Sequence, residues 1–148
     1  DNIIENIMLR QEEKTTATLM HLSALAKYLF PLAGIIVPLL IWQSKKSESD
    51  FVNENGKKVL NFQLSLLLYT IVALLILSFF SMSTIIDYIK IELEGGTVAP
   101  VELLSIIMVA LVTFGLATLG EFILIIHGTL KANEGYSYQY PLSIPFLK

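Results

Sequence analysis

Five side chains in this chain carry chemistry into otherwise apolar surroundings: His21, Asn61, Gln63, Glu121 and His127. Ionisable and amide groups inside long apolar runs are expensive, so they face other protein groups or a water-filled path. Glu121 lies on a run of small residues at helical spacing, Ala110, Thr113, Ala117, Gly120, Leu124, Gly128 and Lys131, which lets another helix come close. Asn61, Ser65, Tyr69 and Ala73 recur every four residues and form a second polar and small face. The five are expected to form one intramembrane polar cluster. Its simplest chemistry is interhelical hydrogen bonding, worth about 0.6–2 kcal/mol per bond. A proton path, a headgroup or substrate site, or a partner contact are the functional readings. Asn61 and Gln63 lie about 200° apart on a helix. One is therefore expected to meet the Glu121 helix and the other the N-terminal hairpin or the cytoplasmic loop.

Catalysis has no comparable signal. Glycine-rich phosphate loops, a nucleophile elbow and a zinc-protease helix motif are all missing from the sequence. There is no cysteine, which excludes thiolate ligands, disulfides and a cysteine nucleophile, and two histidines are too few for a histidine-rich metal centre. The chain is read as a non-enzyme with no cofactor and no metal. A net charge of −3 argues against a nucleic-acid partner.

The elements that must position these residues are set by hydropathy. The 148 residues are 54% hydrophobic and 16% charged, with mean hydropathy +0.66. Three apolar stretches, 18–42, 59–81 and 101–130, each exceed the ~20 residues a helix needs to cross a bilayer. The polar start, DNIIENIMLRQEEKTTA, is unlike a cleaved signal peptide. Pro31, Gly34 and Pro38 interrupt the first stretch. It is either one kinked span or two short helices, about 15–30 and 33–46, joined by a tight turn.

Charge favours the hairpin. Lysine and arginine collect on the cytoplasmic side. With the hairpin, eight of the ten basic residues fall there, and Lys27 and Tyr28 lie near the outer interface. The expected architecture is all-α: a polytopic membrane helical bundle with a Pro-broken N-terminal helical hairpin and two full transmembrane helices. Its parts are a polar arm at 1–14, a broken helix or hairpin at 15–46, and a cytoplasmic loop at 47–58. A span at 59–81, an outer loop at 82–100, a span at 101–131 and a cytoplasmic tail at 132–148 complete the single membrane domain 15–148. Ile85, Ile86, Ile89 and Leu93 suggest an interfacial helix or an extension of the second span, ended by Gly95-Gly96. Asn55-Gly56 fits a turn or a cap before that span. Gly135 after Lys131 fits a helix C-terminus. The expected location is the bacterial cytoplasmic (inner) membrane, multi-pass, with a cytoplasmic C-terminus.

The blocks TTATLMHLSAL, FPLAGIIVPLLIWQSKK, FVNENGKKVLNFQLS and KANEGYSYQYPLSIPFLK resemble a bacterial family of small membrane proteins of unknown function, the Tic-twenty-like proteins. The motif positions are Pro38, Trp42, Phe51, Gly56, Asn61, Phe62, Gln63, Lys131, Ala132, Gly135, Tyr140 and Pro141. The resemblance implies four membrane helices with both ends on one side, and chloroplast relatives in a protein translocon. The expected function is an accessory or scaffold subunit of a membrane complex, linked to protein translocation or insertion. The alternative is a homo-oligomeric transporter, channel-like or lipid-responsive protein that uses the Glu121 cluster. Expected partners are membrane lipids and either a protein partner or further copies of the chain.

Overall fold

The structure is a computed structural model that describes residues 2–96 and 101–148. Four α-helices and one short 3-10 helix make up its regular structure, with no strand among the described residues. Helix α1 is Asn2–Ser23, the 3-10 helix η1 is Ala24–Tyr28, and α2 is Ala33–Lys45; α3 is Asp50–Leu93 and α4 is Val101–Glu134.

The first apolar stretch is not one continuous helix. It tightens into η1 and turns through residues 29–32, where Ala33 N–H donates to the Phe30 carbonyl at 2.9 Å around Pro31. Helix α2 then runs 13 residues, about 20 Å. Helix α3 starts at Asp50 because Ser49 caps it: the Ser49 hydroxyl accepts the Val52 N–H at 3.1 Å. Asn55-Gly56 is therefore helical and not a turn. Gly56 does not use a positive φ; among the described glycines only Gly95 and Gly135 do. Helix α3 also runs on through Leu93, so the segment 83–93 extends the second apolar stretch. Both long helices end in the same way. Gly95 and Gly135, at φ 78° and 91°, let the following N–H turn back to the carbonyls of Ile91 and Lys131 at 2.9 Å.

The chain divides into two compact units, Asp1–Leu67 with Glu121–Lys148, and Leu68–Gly120. The first has a packed core. Its helices bury stripes at helical spacing: Ala17, Met20, His21 and Ala24 on the N-terminal segment, Val52, Asn55, Gly56, Val59, Leu60 and Gln63 on α3, and Glu121, Ile125, Gly128 and Ala132 on α4. Trp42 packs on Gly56: a β-carbon at position 56 would collide with the indole ring. The indole N–H donates to Asn53 Oδ1 at 3.0 Å.

The second unit has the opposite character. Its helical segments expose leucine, isoleucine and phenylalanine along their length; Phe79 is 76% exposed and Phe114 68%. Two helices, Asp50–Leu93 and Leu104–Glu134, are long and apolar enough to cross a membrane. Their most apolar windows are only 6% and 11% buried, so they are not the core helices of a water-soluble fold.

Candidate functional site

The first unit holds two separate polar networks. In the first, Lys27 of η1 reaches Glu121 of α4, its ammonium 2.6 Å from both carboxylate oxygens. Gln63 of α3 donates to the same carboxylate at 3.3 Å. Glu121 is 8% exposed and Lys27 28%. A charged lysine beside the carboxylate, with an amide completing its hydrogen bonds, is what makes such burial tolerable. Gly34 makes the approach possible. A β-carbon there would lie 2.8 Å from both the Ala24 carbonyl oxygen and the Lys27 Cβ. Lys27, expected near the outer interface, is thus tied to Glu121.

In the second network, His21 of α1 is fully buried between Asn55 and Tyr140. Its Nε2 is 2.9 Å from Asn55 Oδ1, and its Nδ1 is 2.6 Å from the Tyr140 hydroxyl. Asn55 spends its amide N–H on the Phe51 carbonyl at 2.9 Å, so its oxygen faces the ring as an acceptor. Nε2–H therefore donates to Asn55, and in the neutral ring Nδ1 accepts from Tyr140. Burial pulls the His21 pKa down to about 4; the Asn55 bond opposes this and the Lys58 charge adds to it. His21 lies on α1, outside the two helices long enough to span. Burial likewise raises the Tyr140 hydroxyl above the usual phenol range. Gly128 clears the space, since a β-carbon there would lie 2.5 Å from the Tyr140 hydroxyl and 2.9 Å from His21 Nδ1. Tyr140 also stacks on Phe62, with centroids 4.1 Å apart and planes 8° from parallel.

The C-terminal tail carries Tyr140 and lies across α3. Asn61 clasps the backbone of Leu147 at two points, donating to its carbonyl at 3.0 Å and accepting its N–H at 2.8 Å. Ser65 accepts the Ile144 N–H at 2.8 Å, and Lys58 donates to the Ser137 hydroxyl at 2.8 Å.

The five residues expected to form one cluster are therefore divided. Of the two amides on α3, it is Gln63 that joins Glu121. Asn61 meets neither the hairpin nor the 47–58 segment but holds the tail. His21 belongs to the Tyr140 network. His127 is exposed, and its ring sits edge-on to Tyr138 at 4.9 Å. The sequence reading missed Lys27, Asn55 and Ser65 as partners; Gly128 lay in the run of small residues, without the Tyr140 and His21 groups it clears. Lys27 and Glu121 are lone opposite charges in facing apolar stretches, a signal that was available. Asn55 becomes meaningful only once the helices are packed. Among the described residues no three His, Asp or Glu side chains gather as a metal site.

Several of the motif positions are explained by this packing. Pro38, Trp42 and Ala132 are buried, Phe62 stacks on Tyr140, and Gly135 ends α4. Such roles serve any small helical bundle and do not discriminate between families, which is why the Tic-twenty-like resemblance misleads. Residues 12–147 match a different family, described as the magnetosome magnetite crystal formation protein family. That match overturns the resemblance and removes the support for protein translocation. No curated protein and no solved structure matches the chain. With 12–147 covering nearly its whole length, this membrane protein belongs to the magnetosome magnetite crystal formation protein family.

Proposed function

We propose that the chain is a non-catalytic scaffold of the magnetosome membrane that contributes to magnetite crystal formation. The family match over residues 12–147 carries this reading. The apolar, exposed helical segments of 68–120 supply the membrane contact. In this reading segments 68–93 and 101–120 cross the bilayer; at 26 and 20 residues of helix they reach about 39 and 30 Å. The α1–α2 hairpin lies at the cytoplasmic interface, with its apolar turn, Leu29, Phe30 and Leu32, dipping among the lipids. Both chain ends then lie on the cytoplasmic side. The bond between His21 near the N-terminus and Tyr140 near the C-terminus supports this, as does the basic cluster Lys45, Lys46, Lys57 and Lys58.

The transporter or channel alternative draws less support, because the Glu121 carboxylate is committed to Lys27 and Gln63. Deleting the gene in a magnetite-forming host and restoring it on a plasmid tests the proposal. Crystal size or number seen by electron microscopy should change on deletion and recover on complementation, with a tagged chain in the magnetosome membrane fraction. Unchanged crystals, with the tagged chain elsewhere, would refute it.

A further inference from the structure

We propose that the C-terminal segment 136–148 is a latch, closed over α1 and α3 while His21 is neutral and released when His21 takes up a proton. Three features of the geometry support this. The tail has no regular structure of its own. Its described holds are side chains of other elements: His21 on Tyr140, Lys58 on Ser137, Ser65 on Ile144 and Asn61 on Leu147. It leaves α4 at Gly135, whose positive φ makes a sharp pivot. In the neutral ring the bond at the centre of the latch runs from the Tyr140 hydroxyl to Nδ1. Asn55 Oδ1 already takes the Nε2 proton. A second proton on Nδ1 would face the Tyr140 hydroxyl, whose own hydrogen would have to swing away from its partner.

The charges around the ring act in the same direction. From α3, Lys58 faces His21, and it also holds the tail through Ser137, so an imidazolium would repel one of the latch's own fastenings. From the tail, the Tyr140 ring faces His21, and burial keeps its phenol protonated. From α4, Gly128 faces the ring without a side chain, and the carboxylates on either side of it along that helix, Glu121 and Glu134, are paired with Lys27 and Lys131. No described carboxylate is placed to welcome a protonated ring. Because the imidazole is held neutral when folded, the latch is fully closed above about pH 6.5, the pKa of a free histidine. Closure weakens as pH falls toward the folded value of about 4.

Hydrogen exchange on the full chain in lipid nanodiscs tests this, read at the Ile144 and Leu147 amides and corrected for the intrinsic pH dependence of exchange. The tail-opening equilibrium should rise by about tenfold per pH unit between 6.5 and 4, while amides in α1 and α3 keep their protection. In the His21→Gln variant the rise should vanish above pH 5. If that variant fails to fold, the imidazole resonance of His21, assigned with the His127→Gln variant, replaces it. Its titration midpoint should coincide with tail opening. Tail exchange that is flat with pH while His21 titrates would overturn the proposal. So would loss of tail and helix protection together.

Discussion

Residues 52–65 and residues 68–93 belong to one helix, yet they are built for different surroundings. In the first segment polar side chains are mated to other elements: Asn55 to His21, Lys58 to Ser137, Asn61 to Leu147, Gln63 to Glu121 and Ser65 to Ile144. In the second, Ser83 and Thr84 turn back onto the Phe80 carbonyl of their own helix, and the outer surface is leucine, isoleucine and phenylalanine. Glycines mark the same divide. Gly34, Gly56 and Gly128 are filled against neighbours, whereas Gly115 and Gly120 have nothing within 4 Å of where a side chain would begin. Protein packing specifies one region; lipid solvation suffices for the other. Polar substitutions and glycine replacements should therefore act very differently in the two.

The largest effect is expected at the ion pair. Glu121→Leu leaves the Lys27 ammonium without its carboxylate and should cost about 3 kcal/mol in unfolding from micelles, the low end for a broken buried pair because Lys27 keeps some exposure. Adding Lys27→Met should recover most of that loss, since the pair as a whole stabilises far less than either half costs when left alone. No recovery would mean that pairing with Lys27 is not the main role of Glu121.

Next comes Gly56→Ala, whose new carbon would collide with the Trp42 ring. Forcing a methyl into packed space costs about 2 kcal/mol, and the Trp42 fluorescence should shift with it. Tyr140→Phe removes one hydroxyl and leaves His21 Nδ1 unpartnered; about 1 kcal/mol should be lost, with the Phe62 stack retained. The smallest change is expected at Gly115→Ala. With no neighbour to meet, a methyl there should stabilise the helix by about 0.5–1 kcal/mol. A loss at Gly115 equal to that at Gly56 would break the distinction between the two regions.

Much of the helical framework was legible in the sequence because its causes are local. The FPLAG break lies where proline removes a donor, and Gly135 ends α4 as a glycine after lysine suggests. Gly56 was misread for the complementary reason. An Asn-Gly pair in a polar stretch has the local chemistry of a turn, and only Trp42, fourteen residues earlier, shows that this glycine serves close approach. Ser49 was a local cap signal passed over because a loop was expected through residue 58. The candidate site was legible as residue types and not as pairings. Spacing separated Asn61 from Gln63, but only the fold of the tail shows that Asn61 reads the backbone of Leu147.

In the proposed topology segments 68–93 and 101–120 cross the membrane while both chain ends stay on one side of it. The chain has no cysteine, so single cysteines at Gln11, Glu94 and Gln139 can be labelled one at a time with a membrane-impermeant maleimide in right-side-out and inverted vesicles. Positions 11 and 139 should label from the cytoplasmic face and position 94 only from the opposite face. Labelling of positions 11 and 94 from the same face would contradict the account.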